Sequence, residues 1–483
     1  MRKTLLRLLA ATAVAATAIP FASVAAQPST VKWGRCPEDV AGPVLQCATV
    51  EVPLDYRNPD GQHIEIMISK LESKNPAKRR GVLMTNAGGP GIAALGFGAV
   101  LAASGLPPQL LDSYDVISFD PRGVGHSTPV TCNFTPEQQK RGIIPAYAHT
   151  AADVEREAVF ARTVAEQCAN SPTAWMLPHT TTANTARDMD RIRAALGQEK
   201  VSYLAPSYGT YLGAVYTTMF PERTDRVVLD SSLPAAGYDV TFMRGFGRGT
   251  QDRFPDFAAF AAAHPEYGLG TTSEQVRAKY FDLAARLEAE PVQGIGATAF
   301  RDTMLQLLYD DSSLPLLAEF MQALDTDQPL PPIPAIAGLE NAMSARLAVI
   351  CDDRSWPETV QEYQRNAEVD RVRYPLLGGA TANIGPCAFW PTEPIEPPVQ
   401  IGDQGPSNVL IVQYQRDPGT PLVGAEDMRR AFGGRATMIV VDQGGHVVIP
   451  FSRNKCAIDT TTAFLTTGQR PAQDLACAAE PSK

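Results

Sequence analysis

The sequence predicts an α/β fold in which a mostly parallel, doubly wound sheet is interrupted by a long helical segment. Short apolar stretches with strand character alternate with helical stretches through the first half of the chain. This alternation is typical of parallel sheets covered by helices on both faces. Strand patterns then fade between residues 240 and 375 and return only near the C-terminus. We therefore expect one sheet built from two parts of the chain.

Four segments of the chain differ in character. Residues 1–26 have the composition of a signal peptide, and residues 27–235 carry most of the strand patterns. Residues 236–400 are expected to form a mainly helical cap, and residues 401–483 return to the sheet. Two separate domains are the alternative, but the last two strands would then have no sheet to join.

Each element of the predicted sheet depends on a local pattern. Strict alternation of apolar and polar residues marks an opening antiparallel hairpin, and uninterrupted apolar runs mark the buried parallel strands. Helices show apolar residues at helical spacing, and Gly197 ends the first clear one. The predicted strands are 48–53, 63–69, 81–85, 114–119, 201–204, 226–230, 408–413 and 436–441, and the clearest helices are 180–196, 273–287 and 299–309.

The N-terminus has the pattern of a secretory signal. Basic residues precede an alanine-rich apolar segment, 8–22, and small residues then allow cleavage after Ala25 or Ala26. An uncleaved membrane anchor is the alternative, but the apolar run is short and contains Pro20. No cysteine follows for a lipid anchor, and no later segment is long and apolar enough to span a bilayer. We expect a secreted or cell-envelope protein without stable membrane association after cleavage.

The cysteines support export. Eight of them follow the predicted cleavage site, and an even number in an exported chain indicates four disulfides. Sequence alone allows about a hundred connectivities. The cysteines are scattered without a C-x-x-C spacing, so no metal site is expected. Pairing of neighbours predicts Cys36–Cys47, Cys132–Cys168, Cys351–Cys387 and Cys456–Cys477.

Charge and composition exclude one class of partner. The net charge is −10, and no basic run is present, which argues against nucleic-acid binding. A hydrophobic fraction of 44% and a charged fraction of 19% are ordinary for a folded soluble protein.

The most informative stretch surrounds Ser207. A β-rich run, small residues and a helical pattern follow one another, with the serine at the turn. This order is typical of a nucleophile elbow, in which the helix N-terminus supplies partial positive charge beside the serine. The motif is A-x-S-x-G, because Ala205 occupies the first glycine position. An ordinary serine in a β–α turn is the alternative interpretation.

A nucleophilic serine requires a base. Among six histidines, only His446 lies in a short loop directly after a late strand. Gly444 and Gly445 allow the backbone to bend and bring the imidazole toward the serine. A histidine on a surface loop is the alternative, and the upstream elbow favours the base.

The base in turn requires an orienting carboxylate. Asp417 follows the strand at 408–413, in a turn shaped by proline and glycine. Asp403 precedes the strand, Glu426 and Asp427 fall on the next helix, and Asp442 is too close in sequence to His446. We therefore predict Ser207, Asp417 and His446 as the triad, in the chain order of doubly wound hydrolases.

An oxyanion requires two backbone N–H groups. The residue after the nucleophile, Tyr208, supplies one, and the glycine-rich turn after the third strand, Gly88 and Gly89, supplies the other. The alternative interpretation of the glycines is a plain turn.

With these pieces in place, the chain resembles the α/β-hydrolase superfamily. More narrowly, it resembles the secreted tripeptidyl aminopeptidase-like serine hydrolases of bacteria, relatives of prolyl aminopeptidases. The resemblance covers about residues 30–480, and departs from the family at Ala205 and at Ala87, where a proline is common. The motifs that carry it lie at 86–91, 114–127, 186–193, 200–223, 417–421 and 444–446.

The resemblance implies a Ser-Asp-His triad at Ser207, Asp417 and His446 and a helical cap at 236–400. An enzyme of this kind holds the free N-terminal ammonium of a peptide, and a carboxylate is suited to that role. The family's C-x-D pattern in the cap points to Asp352 and Asp353, with a solvated acidic pair as the alternative.

Together these features predict a bacterial, exported serine exopeptidase that cleaves short peptides from a free N-terminus and requires no metal or organic cofactor. An esterase or amidase acting on a small metabolite or lipid is the first alternative, because fold and triad do not set the substrate. A non-catalytic binding protein on the same scaffold is the second, and the complete triad argues against it.

Overall fold

The computed structural model describes residues 31–40, 44–334 and 336–480, and the predicted signal peptide lies outside them. Within these residues, ten strands hydrogen-bond into one sheet. The strands are β1 (Gly34–Arg35), β2 (Gln46–Pro53), β3 (His63–Leu71), β4 (Gly81–Thr85), β5 (Tyr114–Phe119), β6 (Val201–Pro206), β7 (Thr224–Asp230), β8 (Val409–Arg416), β9 (Ala436–Gly444) and β10 (Leu475–Cys477).

The sheet order is β1-β2-β3-β5-β4-β6-β7-β8-β9-β10. The pairs β1–β2, β2–β3 and β3–β5 are antiparallel, and all pairs from β5 to β10 are parallel. The predicted fold class, a mostly parallel α/β-hydrolase sheet opened by an antiparallel hairpin, is confirmed. The carboxyl ends of the parallel strands share one edge of the sheet, where ligands bind in folds of this type.

Helices cover both faces of the sheet. Neighbouring residues of β6 show this, because Tyr203 and Ala205 belong to one apolar cluster and Leu204 to another. The helices are α1 (Phe97–Ala103), α2 (Pro108–Ser113), α3 (Pro136–Arg141), α4 (Ala151–Ala169), α5 (Thr182–Ala195), α6 (Tyr208–Met219), α7 (Val240–Ala263), α8 (Ser273–Ala289), α9 (Ala297–Leu307), α10 (Leu314–Thr326), α11 (Leu339–Asp352), α12 (Val360–Arg373), α13 (Gly378–Thr381), α14 (Leu422–Phe432) and α15 (Lys455–Thr467).

The chain leaves the sheet after β7 and returns directly beside it. Helices α7 to α13 occupy the intervening segment, and β8 then pairs with β7 through Val227 and Val409. Helix α7 continues through Pro255, a residue type that usually ends helices. Helix α9 begins and ends two residues earlier than the predicted 299–309, which leaves Tyr309 outside the helix.

Four disulfides join segments that are close in sequence. They link Cys36–Cys47, Cys132–Cys168, Cys351–Cys387 and Cys456–Cys477. These are the same pairs as in the neighbour pairing expected from the sequence. Cys36–Cys47 connects the segment after β1 to β2, and Cys456–Cys477 connects α15 to β10.

The Asp-Pro-Arg motif after β5 has a structural explanation. Arg122 is fully buried and forms an ion pair of 2.6 Å with Asp188 of α5. Its remaining N–H groups donate to the carbonyls of Pro53, Leu54 and His179. A buried charge is tolerated where its donors are satisfied in this way, so the motif ties the opening hairpin to α5.

Candidate active site

Ser207 lies between β6 and α6 in a strained backbone conformation. Its φ is 56° and its ψ is −132°, a region that residues with a side chain adopt only where the surroundings enforce it. Its amide donates to the Asp230 carbonyl at 3.0 Å, and its carbonyl accepts from the Thr210 amide and hydroxyl. These bonds hold the turn, and the serine is only partly buried.

The alanine at position 205 fits because Gly209 has no side chain. A Cβ placed on Gly209 would approach the Ala205 Cβ to 2.7 Å, which is closer than carbon atoms pack. The elbow therefore requires one small residue and one glycine at this crossing. Since the second glycine of the motif is present, the extra methyl at position 205 is accommodated.

Asp417 and His446 form a close pair. The His446 Nδ1 lies 2.9 and 3.0 Å from the two Asp417 carboxylate oxygens. Both side chains are almost fully buried. The carboxylate also accepts from the amides of Gly419 and Thr420, at 2.8 Å each, and from the Thr420 hydroxyl. With Nδ1–H donating to the carboxylate, Nε2 is left as a proton acceptor.

Tyr309, from the inserted helical segment, supports His446. Its carbonyl accepts the His446 amide at 2.7 Å, and the two ring centroids lie 4.5 Å apart. Sequence reasoning missed this residue, since it lies far from His446 in the chain and belongs to no local motif. The inserted segment thus contacts His446, the predicted base, directly.

Asp230, at the end of β7, joins the serine turn to the histidine loop. Its carbonyl holds the Ser207 amide, and its carboxylate accepts the amides of Val448 and Ile449 at 2.9 and 2.6 Å. Burial raises the pKa of Asp230 to about 7, although these two amides oppose the shift. A carboxylate at the end of a buried strand was the only sequence signal for this residue.

The glycine-rich turn after β4 packs against the serine. A Cβ on Gly88 would lie 3.0 Å from both the Ser207 Cβ and the Pro206 carbonyl. The Gly88 amide donates to Asn86 Oδ1 at 2.9 Å. Contrary to the expectation from the sequence, it is therefore not free to bind a substrate oxygen. The Gly89 and Tyr208 amides donate to no acceptor recorded among the described residues. These two amides are therefore the groups suited to an oxyanion.

Two successive hydrogen bonds connect the glycine-rich turn to α11. The Arg346 guanidinium donates to the Tyr238 hydroxyl at 2.9 Å, and that hydroxyl donates to the Gly89 carbonyl at 3.4 Å. Arg346 is 7% exposed. Within the part of the chain that the structure describes, no carboxylate lies within ion-pair distance of it.

The two acids expected to bind a substrate ammonium have other partners. Asp352 accepts from the Trp390 indole and the Thr392 hydroxyl at 2.8 and 2.6 Å. Asp353 accepts from both the amide and the hydroxyl of Thr182, at the first turn of α5. Each acid thus has a structural explanation, and their role toward an ammonium stays a prediction.

Asp352 makes the stability of the fold depend on pH. Burial raises its pKa from 3.8 to about 8, against the hydrogen bonds from Thr392 and Trp390. The folded protein therefore holds this proton more tightly than the unfolded chain, and the free energy of unfolding falls as pH rises between these values. Each pH unit in that window costs up to about 1.4 kcal/mol. We expect Asp352→Asn to flatten this dependence.

Urea unfolding of the two proteins at several pH values between those two pKa values measures the effect. Asp60→Asn, at an exposed acid, is the matched control and should keep the parent slope. An unchanged slope in Asp352→Asn would contradict the assignment of the titration to this residue.

The described residues hold no cluster of three or more histidine, cysteine or acidic side chains that could bind a metal ion. Among these residues, no helix is long and apolar enough to cross a membrane.

The chain is similar to several known proteins. Residues 374–477 match the family model described as TAP-like protein. The chain is 34% identical to a tripeptidyl aminopeptidase of Streptomyces lividans over 95% of this chain and 88% of that protein. It is 26% identical to the serine protease Hip1 of Mycobacterium tuberculosis, covering 92% and 91%, and 29% identical to a carboxylesterase B of the same species, covering 92% and 89%. A proline iminopeptidase structure from Mycobacterium smegmatis aligns with a TM-score of 0.42 and 14% identity, covering 86% and 97%.

Proposed function

Because the chain belongs to the tripeptidyl aminopeptidase-like family of α/β-hydrolase serine peptidases, we propose that it removes short peptides from the free N-terminus of its substrates. The observation that carries the proposal is the buried Asp417–His446 pair at the sheet edge that also presents Ser207. The relative from Streptomyces lividans is named for this activity.

The chemistry follows from the groups at this edge. His446 Nε2 accepts the proton of the Ser207 hydroxyl as the oxygen attacks the substrate carbonyl, and an acyl-enzyme forms. Asp417 fixes the imidazole tautomer and stabilises the imidazolium. The Tyr208 and Gly89 amides donate to the oxyanion, at the positively polarised N-terminus of α6. His446 then returns its proton to the leaving amine, and water releases the peptide by the same steps.

Export of the protein is part of the proposal. All eight cysteines are paired, which fits an oxidising compartment. We place cleavage of the signal after Ala25 or Ala26 and treat residues 236–400 as the cap over the site.

Peptides coupled to a coumarin leaving group test the substrate class. Mono-, di- and tripeptide conjugates, each with a free and an N-acetylated N-terminus, should show cleavage that depends on the free amine, with the highest kcat/KM on tripeptides. Equal kcat/KM for free and acetylated peptides would reject the exopeptidase assignment.

A carboxylesterase is the second candidate, because one relative carries that name at 29% identity. The triad serves either reaction, since ester and amide hydrolysis share the acyl-enzyme. Hydrolysis of aryl esters by a protein that cleaves none of the coumarin peptides would favour this function.

A further inference from the structure

The turn that carries the Gly89 amide needs contacts to hold its direction. Gly88, Gly89 and Gly91 all have a positive φ, between 86° and 103°, and glycine has few steric limits on its backbone angles. An oxyanion donor is effective only when it lies about 3 Å from the oxygen. The groups that fix this turn therefore affect how well the Gly89 amide stabilises an oxyanion.

Arg346 of α11 holds this turn through Tyr238. The guanidinium donates to the Tyr238 hydroxyl at 2.9 Å, and its carbon lies 4.8 Å from the centre of the Tyr238 ring. Because arginine can only donate, the proton of the hydroxyl is left for the Gly89 carbonyl, at 3.4 Å. The backbone of α11 packs on the same turn, since a Cβ on Gly91 would collide with the Ala342 carbonyl. We call the series Arg346, Tyr238 and Gly89 the Gly89 path.

Asp353, the C-cap residue of α11, holds Tyr208 through Thr182. Its carboxylate accepts from the Thr182 amide at 2.7 Å and from the Thr182 hydroxyl at 2.5 Å. Burial raises the pKa of Asp353 to about 6, so the carboxylate is ionised at neutral pH and can only accept. The single proton of the Thr182 hydroxyl is thus used, and the Tyr208 hydroxyl is the donor in its 2.6 Å contact with the Thr182 oxygen. We call this series the Tyr208 path.

Both paths end on the same helix. Arg346 and Asp353 are seven residues apart, and the Asp353 amide still donates to the Val349 carbonyl at 3.0 Å. Seven residues are about two helical turns, which places the two side chains on one side of α11. Contacts that only attach α11 to the sheet would affect stability alone. Contacts that direct the amides would also affect the step in which the oxyanion forms.

We propose that Arg346 and Asp353 are positioning residues that direct the two oxyanion donors, one through the Gly89 path and the other through the Tyr208 path, a role that rests on the acyl transfer proposed for Ser207. Each acts on an amide through another residue. The inserted segment then contributes to the chemical step through α11, in addition to its contact with the histidine.

Tyr238→Phe and Tyr208→Phe test the two paths, because each removes one hydroxyl and keeps both amides. We expect each to slow labelling by a small fluorophosphonate about tenfold, since complete loss of an oxyanion donor costs about 10²-fold or more and a misdirected donor costs less. On a tripeptidyl-coumarin, kcat should fall by a similar factor with KM unchanged, because the oxyanion develops only in the transition state. Tyr363→Phe, which removes a hydroxyl that donates to the Pro357 carbonyl at 2.9 Å, is the matched control and should keep the parent rates.

Double variants separate the paths. Arg346→Met combined with Tyr238→Phe should be no slower than the slower of the two single variants, because both changes interrupt the Gly89 path. Asp353→Asn combined with Tyr208→Phe should behave in the same way. Tyr238→Phe combined with Tyr208→Phe should instead multiply the two losses, to about a hundredfold, since the paths are independent. Arg346→Lys keeps a donor and should recover part of the rate lost in Arg346→Met.

Stability measurements distinguish positioning from attachment. If both Tyr→Phe variants lower the thermal midpoint but label and turn over like the parent, the contacts only attach α11 and the proposal is overturned. Asp353→Asn may be replaced by Thr182→Val, which interrupts the same path without changing a charge, should the first variant not fold. A loss in Asp353→Asn confined to peptides with a free N-terminus, with unchanged labelling, would assign this acid to the substrate ammonium and remove it from the Tyr208 path.

The same labelling experiment keeps the two proposals apart. A parent protein whose Ser207 is not labelled rejects the proposed acyl transfer, and the positioning role with it. A labelled parent with equally fast labelling of every variant overturns the positioning role alone.

Discussion

Ser207→Ala is expected to lower kcat by about 10⁵-fold or more and to abolish covalent labelling by a fluorophosphonate probe. The hydroxyl oxygen is the atom that forms the acyl-enzyme, and no neighbouring group replaces it. The thermal midpoint should stay near that of the parent, because alanine keeps the Cβ and meets the same backbone strain at a φ of 56°. Labelling, coumarin release and thermal unfolding measure these three outcomes.

The control for this substitution is Ser407→Ala, at an exposed serine that directly precedes β8 and so lies at the end of the strands opposite Ser207. The fluorophosphonate probe should label this variant as it labels the parent. Labelling that persists in Ser207→Ala would identify another serine as the nucleophile and remove the elbow from the mechanism.

Asp417→Asn is expected to lower kcat by about 10⁴-fold. The amide nitrogen presents a donor to His446 Nδ1 and so favours the tautomer whose Nε2 carries the proton. The substitution also replaces a carboxylate that accepts hydrogen bonds from Gly419 and Thr420 as well as from the histidine. Fluorophosphonate labelling should become slow without disappearing, because the Ser207 hydroxyl is retained.

Asp442→Asn is the matched control for Asp417. Asp442 lies in the same region of the chain, but it is exposed and pairs with Arg416 at 3.2 Å. We expect parent-like kcat. A loss in Asp442→Asn as large as in Asp417→Asn would contradict the assignment of the orienting acid.

The catalytic candidates were predictable because each lies in a short loop directly after a strand. Strand patterns locate such loops, and their order along the chain follows from a parallel sheet with one shared edge. Ser207, Asp417 and His446 all come from loops of this kind. The same reasoning predicted the buried strands, because residues that face helices on both sides are apolar without alternation.

The supporting groups could not be predicted in this way. Tyr309 and Arg346 belong to the inserted helical segment, and their contacts with His446 and Tyr238 join residues more than a hundred positions apart. Such contacts depend on how helices pack over the sheet, which no local pattern specifies. Asp352 shows the opposite case. Its position next to Cys351 can be read from the sequence. The hydrogen bonds that its carboxylate accepts from Trp390 and Thr392 cannot.

The crossing of Ala205 and Gly209 limits the order in which this sequence can change during evolution. A methyl group gained at position 209 collides with the one at position 205, so that step is open only to descendants that have first replaced Ala205 by glycine. The reverse change, from glycine to alanine at position 205, is open as long as position 209 stays glycine. Substitutions at the two positions therefore depend on each other, and an alanine at one position predicts a glycine at the other among descendants of this chain.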